Sequence, residues 1–257
     1  MGQYTGIEWT DATWNPTTGC TKISPGCDNC YAAELAHTRL RETYLRQPPI
    51  NDSPEAKEDP FAIRLWPDRL DQPIRWKNPR MVFVNSMSDL FHQDIPEDFL
   101  RRIFRTMLEV DRHVFQVLTK RPARACRFWD RNSDLFEGGQ IPSHIWMGTS
   151  IEKQEYDYRA RQLRSLPAEL RFLSCEPLLG QLKLDLTGIG WVIVGGESGP
   201  RYRPLDLRWA RGIRDQCIEA EVPFFFKQIG GRTPKAGGRI LDNRTWGEYP
   251  EVERLTA

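Results

Sequence analysis

Short apolar segments recur along the chain at intervals of about one strand plus one helix. Runs of this kind are typical of strands that are buried on both faces of a parallel sheet. The last run begins at Phe224, because Pro223 is tolerated only at the start or edge of a strand. A further strand is expected at the N-terminus. The predicted strands are residues 7–14, 81–84, 114–118, 145–147, 171–173, 191–194 and 224–226.

Amphipathic segments separate these runs and predict helices. In residues 96–108, apolar side chains recur at helical spacing after Pro96, a residue suited to a first helical turn. Residues 154–166 and 207–220 show the same pattern. Strand and helix therefore alternate, which predicts an α/β fold with a parallel sheet and crossover helices. The strand number favours a partial (βα) barrel of about six to seven strands over a short doubly wound sheet.

The remaining segments have a different composition. Residues 40–79 contain seven of the 19 prolines and mixed charge, which predicts an inserted surface excursion. Residues 175–190 are too short and too rich in Gly and Leu to predict a helix. The expected organisation is one part-barrel domain over residues 1–229 and an irregular C-terminal tail over residues 230–257.

Charge and composition exclude several classes of function. The 257 residues carry 36 Lys or Arg against 35 Asp or Glu, so no global field attracts a polyanion or an acidic membrane. Any nucleic-acid site must be local. No cationic leader and no long apolar run is present, so we expect a cytoplasmic protein without a membrane partner.

Polar residues follow directly after the predicted strands. Ligands of parallel α/β folds bind at the carboxyl ends of strands, so six such segments predict a site for a charged small molecule. The alternative is that loops are polar anyway and that helix N-caps prefer Ser, Thr or Asp. The six segments are residues 85–89, 119–121, 149–152, 174–176, 195–199 and 227–228.

Three of the six cysteines crowd into one short segment with the spacing C-x6-C-x2-C: Cys20, Cys27 and Cys30. A structural zinc site needs four protein ligands, and no second C-x2-C or H-x3-H pair exists. His37 or Cys175 could complete one only by folding. An iron–sulfur cluster held by three cysteines instead leaves one iron open for a ligand.

This segment resembles the cluster loop of radical S-adenosylmethionine enzymes of the DNA repair photolyase (spore photoproduct lyase-like) type. The motifs SMSDLFH, VLTKRP, FLSCEPLLG and VIVGGESGP further resemble the phage-associated three-cysteine-motif family over residues 7–228. Two departures stand out. The usual spacing is C-x3-C-x2-C, so the first gap here is longer, and Asn29 occupies a position where an aromatic residue often precedes the last cysteine.

The resemblance implies a radical-SAM-like part-barrel, a 4Fe-4S cluster and S-adenosylmethionine. Carried over by position, the three cysteines would ligate the cluster and Lys120 would pair with the methionine carboxylate. Tyr31 would lie near the adenine, and Tyr31 or, preferably, Cys175 could return a hydrogen atom as a catalytic residue. The other cofactor-binding candidates are Ser88 and Asp89 for the methionine amino group, Ser150 and Glu152 for the ribose, and Glu176, Glu197 and Lys227 for the far side.

Each candidate has a structural alternative. Asp89 could cap the segment before Pro96, and Lys120 could be a solvated charge at a helix start. Glu197 could pair with Arg201 or Arg203.

The implied function is an iron–sulfur, S-adenosylmethionine-dependent radical enzyme that acts on a nucleic acid base or lesion. Its expected partners are a flavodoxin or ferredoxin as electron donor, a protein encoded nearby, and DNA or RNA. Two local basic patches, residues 101–132 and 201–214, suit the last of these. The alternative function is a zinc-dependent nucleic-acid-binding protein without redox chemistry.

Overall fold

A curled, seven-stranded parallel sheet forms a half-barrel at the centre of the chain, in a computed structural model that describes residues 5–233 and 235–251. The order of the strands across the sheet is the same as their order along the chain. These strands are β1 (Ala12–Trp14), β4 (Met81–Val84), β5 (Val114–Thr119), β6 (Ile145–Ser150), β7 (Arg171–Cys175), β8 (Trp191–Gly195) and β9 (Phe224–Gln228). Two small antiparallel pairs lie outside the sheet: β2 (Thr17–Thr18) with β3 (Arg64–Leu65), and β10 (Ile240–Leu241) with β11 (Arg244–Thr245).

Helices cross between the strands. The long ones are α4 (Glu97–Glu109), α5 (Pro122–Arg131) and α7 (Leu207–Glu219), and the short ones are α1 (Tyr31–His37), α2 (Arg41–Leu45), α3 (Pro54–Glu58) and α6 (Tyr158–Arg164). Single 3₁₀ turns occupy Pro25–Cys27, Pro67–Arg69, Pro73–Arg75, Ser133–Leu135, Glu137–Gly139 and Gln154–Tyr156. The predicted α/β alternation and parallel sheet are confirmed. The helix expected over 154–166 is broken into a 3₁₀ turn and α6, and residues 176–190 contain no helix.

The two faces of the sheet carry different side chains. Alternate residues such as Val192 and Val194 pack in the large apolar cluster that includes the buried sides of α4, α5 and α7. The residues between them, such as Trp191 and Ile193, form a second cluster on the concave face. That cluster is rich in aromatic rings and closes the amino end of the half-barrel. Polar residues of the same concave face therefore gather towards the carboxyl end.

The N-terminal strand is shorter than predicted. Only Ala12–Trp14 pairs with β4, whereas Ile7 and Thr10 close a turn through a backbone hydrogen bond. Trp9 in this turn is buried against Phe83 and Trp191, with ring centroids 4.6 and 6.2 Å away. The apolar residues of the segment thus plug the base of the half-barrel instead of extending the strand.

Residues 40–79 pack more deeply than a surface excursion. Tyr44, Ile63 and Trp66 are buried, and β3 pairs with β2 immediately before the first cysteine of the trio. This excursion therefore supports the cysteine segment from outside. Within residues 235–251 the tail also packs against the sheet, since Trp246 is buried and Trp191 Nε1 donates to the carbonyl of Glu248 at 2.8 Å. Within the described residues, no helix has the length and apolarity needed to cross a membrane.

Candidate functional site

The three clustered cysteines lie on one segment, residues 19–31, called here the cysteine loop. It begins at Gly19, whose φ of +88° and close approach to Ala62 leave no room for a side chain. Gly19 forms a parallel bridge with Ser88, just beyond β4. The Ser88 hydroxyl lies 2.7 Å from that of Thr17. The start of the loop is thereby tied to the carboxyl end of β4.

The cysteine loop extends across the carboxyl ends of four strands. All four contacts involve loop residues on one side and residues just past a strand on the other. Tyr31 donates to the Ser86 carbonyl after β4 at 2.5 Å, Arg121 after β5 donates to Cys20 Sγ at 3.5 Å, Gly26 lies against the Glu152 carboxyl after β6, and Asn29 donates to Glu197 after β8 at 3.0 Å. The loop thus covers the polar end of the half-barrel.

The three thiols are free and lie partly exposed at this edge. Burial, with a further contribution from Asp89, raises the pKa of Cys20 to about 11, although the Arg121 guanidinium opposes the shift. The charge of Cys27 acts in the same upward direction, so these two thiols lie within electrostatic reach of each other. Cys27 Sγ lies 3.8 Å from Ser24 Oγ.

The donor chemistry of the loop fits a cluster with three protein ligands. Three unpaired thiols occupy one loop at the ligand-binding edge of a parallel sheet. Among residues 5–233 and 235–251, no group of three or more His, Cys, Asp or Glu side chains is arranged to hold a metal ion.

Asp89 is a buried junction beneath Cys20. Its Oδ1 accepts from Thr119 Oγ1 at 2.7 Å, and its Oδ2 accepts from the Lys120 amide at 3.0 Å and from Arg121 at 2.8 Å. Oδ1 also accepts from the amide of Phe91 at 3.0 Å. The carboxylate therefore connects the ends of β4 and β5. Both of its oxygens accept hydrogen bonds from protein groups.

A second polar group supports the same side of the loop. His92 is almost fully buried, and its Nε2 lies 2.7 Å from Thr21 Oγ1. The Asp94 amide donates to His92 Nδ1 at 3.2 Å, which assigns the ring proton to Nε2. Arg121 also donates to the Thr21 carbonyl at 3.0 Å. Arg121 thus links the Asp89 junction to the cysteine loop.

Glu152 forms a fully buried ion pair beneath the loop. Its Oε2 accepts from Arg159 Nη1 at 2.9 Å, and their side chains are 0% and 1% exposed. The same Arg159 nitrogen donates to the Ser150 carbonyl at 3.0 Å. Glu152 Oε1 has no hydrogen-bond partner among the described residues, and it lies 3.2 Å from the position that a Cβ on Gly26 would occupy. A side chain at position 26 would therefore crowd the Glu152 carboxyl.

Glu176 and Lys227 form a second charged pair on the concave face. Lys227 Nζ lies 3.2 Å from Glu176 Oε1, and the two side chains are 14% and 23% exposed for Glu176 and Lys227 respectively. The Ser174 hydroxyl lies 3.5 Å from Glu176 Oε2. Ser174 pairs with Ser150 in the sheet register, so Ser150, Ser174, Glu176 and Lys227 share the polar end of the concave face. This pair supplies both an acceptor and a cation to the site.

Glu197 joins the β8 end to the cysteine loop. Its carboxylate accepts from the Arg203 backbone amide at 2.8 Å and from the Arg203 guanidinium at 2.9 and 2.5 Å. Asn29 Nδ2 donates to the same carboxylate and to the Arg201 carbonyl at 2.8 Å. Burial alone would raise the pKa of Glu197, but these hydrogen bonds prevail and lower it. The pairing of Glu197 with Arg203 is one of the two alternatives considered from the sequence.

The family described as "Protein of unknown function (DUF5131)" matches residues 4–250, nearly the whole chain. The chain belongs to the DUF5131 family. No curated protein and no solved structure matches it. The fold and site described above are therefore the basis for a functional proposal for this DUF5131 protein.

The two candidate catalytic residues lie in different surroundings. Cys175 is the last residue of β7, and its side chain lies on the outer face of the sheet. There it belongs to the apolar cluster between sheet and helices, which also contains Cys217 of α7. Burial raises the pKa of Cys175 well above its ordinary value. Side chains alternate along a strand, so Ser174 and Glu176 face the concave side and Cys175 does not. The position of Cys175 therefore does not support a role as hydrogen-atom donor to a ligand on the concave face. Tyr31 is 48% exposed at the cysteine loop, where desolvation of its hydroxyl, with Cys30 and Glu176, raises its pKa.

The basic patches of this DUF5131 chain are partly neutralised by nearby acids. Arg101 forms a bidentate pair with Asp134, and Arg208 pairs with Asp206. Arg211 and Arg214 both contact Asp242. Arg102, Arg105 and Arg127 remain exposed on α4 and α5.

Sequence reasoning missed several residues of the site. Arg121 and His92 do not stand out by spacing, because the cysteine-loop groups that they contact lie 101 and 71 residues away in sequence. Arg159 lies only seven residues from Glu152, but no motif of the sequence marks the two as a pair. Arg121 follows Lys120 in the VLTKRP segment, and it is the arginine, not the lysine, whose side chain contacts Asp89 and Cys20. Only the Lys120 backbone amide takes part in that junction.

Proposed function

We propose that this chain is an iron–sulfur, S-adenosylmethionine-dependent radical enzyme that acts on a nucleic acid base or lesion. The observation that carries the proposal is the position of the cysteine loop. Three free thiols lie on a segment that contacts the carboxyl ends of four strands of a parallel half-barrel, directly above charged concave residues. This edge is where parallel α/β folds bind their ligands.

Cys20, Cys27 and Cys30 would hold the cluster. When bound, a reduced cluster with one open iron supplies an electron for cleavage of a sulfonium ligand and so provides hydrogen-atom abstraction chemistry. Arg121 places an N–H donor at the Cys20 sulfur, and hydrogen bonds to cluster sulfurs tune a reduction potential. The Asp89 junction orients Arg121 by accepting from the same guanidinium.

The concave residues would hold the organic ligand and the substrate. Lys120 and Lys227 are cations suited to a carboxylate or phosphate, and Glu176 is an acceptor for an amino group. Ser88 and Ser150 add hydroxyls at the ends of β4 and β6. Asp89 and Glu197 are fully engaged by protein groups, so we assign them to positioning instead of ligand contact.

Hydrogen-atom return would fall to Tyr31, the one of the two candidates that lies at the cysteine loop. Its hydroxyl donates to the Ser86 carbonyl, and Glu176 lies close enough to raise its pKa further. A tyrosine with a raised pKa remains protonated at neutral pH and keeps a hydrogen atom to donate. We place the enzyme in the cytoplasm, where thiols stay reduced and a flavodoxin or ferredoxin can supply the electron.

Anaerobic iron and sulfide analysis with a visible spectrum tests the proposal. We expect about four iron and four sulfide per chain in the wild type and their loss in Cys27→Ala. The matched control is Cys126→Ala, because Cys126 lies on α5 with its thiol against the Gln162 carbonyl, away from the loop. It should retain the full iron content.

The alternative function predicts a different metal content for the same samples. About one zinc per chain, with no cluster absorption after reconstitution with iron and sulfide, would replace the radical enzyme by a zinc-dependent nucleic-acid-binding protein. Equal iron loss in Cys126→Ala would instead show that the iron is not bound through the cysteine loop.

A further inference from the structure

We infer that Glu197 is a positioning residue that holds the cysteine loop closed over the half-barrel, acting through Asn29 and Arg203. As a contribution to catalysis this role rests on the proposed function, but the closure itself does not depend on which group the cysteines bind.

The anchor of this contact is rigid. Glu197 follows β8, and its backbone carbonyl accepts from the Gly231 amide at 3.0 Å. A Cβ on Gly230 would lie 2.2 Å from that same carbonyl, and one on Gly196 would lie 1.9 Å from the carbonyl of Ile229. The segment that carries Glu197 is thus packed directly against the chain beyond β9, with no room for side chains between them.

The loop, by contrast, has little packing of its own. None of residues 20–30 is buried, and the exposed residues 21–23 include Ile23. Within the loop, the 3₁₀ turn Pro25–Cys27 contributes two backbone hydrogen bonds, from Cys27 to Ser24 and from Asp28 to Pro25. Cys30 packs partly against the cluster that contains Ala36 and Trp66, and the rest of the loop depends on polar contacts for its position.

The contacts from the β8 end reach both sides of that turn. Arg203 Nη2 donates to the Pro25 carbonyl at 2.9 Å, and Arg203 Nη1 lies 3.5 Å from Asp28. Glu197 fixes the Arg203 guanidinium through two of its donors and binds Asn29 directly. Cys27 lies within this turn and Cys30 follows Asn29. One buried carboxylate therefore sets the position of two of the three thiols.

This arrangement also accounts for the unusual residue before the last cysteine. Asn29 supplies an amide whose two hydrogen atoms reach the Glu197 carboxylate and the Arg201 carbonyl. A phenylalanine at position 29 could make neither bond, and a tyrosine or tryptophan has one donor for the two acceptors. Asn29 therefore contributes a polar attachment that the longer, less packed loop requires.

Thiol labelling of the metal-free protein tests the inference without measuring activity. We expect Glu197→Gln and Arg203→Gln each to raise the alkylation rates of Cys27 and Cys30 by about tenfold or more, because charge-assisted hydrogen bonds are lost. Rates are assigned to each cysteine by mass spectrometry, with Cys126 as the internal reference. Limited trypsin cleavage after Lys22 should accelerate in parallel.

Arg201→Gln is the matched control, because only the backbone carbonyl of Arg201 takes part in the contact. It removes the same charge from the same segment and should leave the labelling rates at the wild-type level. As a single substitution, Asn29→Ala should raise the labelling rates above those of the wild type. In a Glu197→Gln background it should raise them little further, since the two side chains act in one contact.

Unchanged rates for Cys27 and Cys30 in folded Glu197→Gln and Arg203→Gln would overturn the inference. If Glu197→Gln does not fold, Arg203→Gln and Asn29→Ala carry the test, because both residues are only partly buried. An iron-free wild type whose labelling still depends on Glu197 would refute the radical enzyme and retain the closure. Iron binding by the wild type, together with labelling rates that do not depend on Glu197, would retain the radical enzyme and refute the closure.

Discussion

The carboxylate of Glu176 occupies the space that a side chain on Gly195 would need. A Cβ on Gly195 would lie 2.3 Å from Glu176 Oε1, closer than any ordinary contact. The two residues are on neighbouring strands, and Glu176 reaches across β8 towards Lys227. Gly195 therefore keeps open the place where the charged pair of the concave face forms.

Gly195→Ala should displace the Glu176 carboxyl and lower the free energy of unfolding by about 1 kcal/mol, the low end of the cost of overpacking, because the displaced atom is the end of a flexible side chain. Gly180→Ala is the control, since no atom lies within 4 Å of its added Cβ. Chemical denaturation measures both. In a Glu176→Ala background, the cost of Gly195→Ala should fall by at least half, and an unchanged cost would show that another neighbour causes the strain.

Breaking the Glu152–Arg159 pair should be far more costly than breaking an exposed pair. Arg159→Met leaves a fully buried carboxylate without its cation, and we expect a loss of about 3–5 kcal/mol in the free energy of unfolding. Arg161→Met, on the same helix, removes an exposed arginine 3.9 Å from Asp157 and should change it by less than about 0.5 kcal/mol. Equal effects of the two substitutions would contradict the importance assigned to burial.

Buried His92 should make stability depend on pH. Burial, followed by the nearby Arg121 charge, lowers the pKa of His92 below its ordinary value of 6.5. The unfolded chain then binds a proton more readily than the native chain, so stability falls as the pH drops below 6.5 towards the folded pKa. His113, whose pKa burial also lowers, adds to the same trend.

Denaturation midpoints from pH 8 to about pH 5 measure this dependence. His92→Gln should reduce the pH slope, leaving the contribution of His113 and the carboxylates. His37→Gln serves as the control for the loss of a histidine as such, because His37 is exposed whereas His92 is buried. A wild-type slope in His92→Gln would mean that His92 does not titrate between the two states.

Nucleic acid binding, if it uses the first basic patch, should depend on its exposed arginines. Replacing Arg105 and Arg127 by Gln should weaken binding to single-stranded DNA and reduce the salt dependence of log K by about 0.7 for each lost phosphate contact. The double variant Lys57→Gln with Arg75→Gln removes the same charge elsewhere and is the control. Identical salt slopes for the wild type and both variants would exclude this patch.

Local patterns predicted most of the fold. Strand and helix positions follow from hydrophobic periodicity, so β4, β5, β8 and α4 lie close to the positions that the sequence indicates. The pattern failed at residues 7–11, where apolar residues serve as a plug for the half-barrel. An apolar residue at a strand end and one in a packed turn have the same composition, and only the tertiary structure distinguishes them.

The candidate site divides in the same way. The sequence shows that Ser174, Cys175 and Glu176 come at the end of a strand, and the alternation of side chains along that strand decides which face each one occupies. Side chains alternate along a strand, so Glu176 faces the concave side while Cys175 packs against α7. Strand parity was the signal that would have separated the catalytic candidate from its neighbours.

Strand and helix periodicity alone predicted that the polar residues after six strands would meet at one edge of a parallel sheet, because strand direction brings the carboxyl ends together. The spacing of the three cysteines indicated a ligand set but not its place at that edge. Only the tertiary structure decided which groups bind each other there. Asn29 and Glu197 are separated by 168 residues, and Cys20 and Arg121 by 101. Hydrogen bonds and charges depend on distance in space, and no local periodicity encodes a pairing between two loops so far apart in the chain.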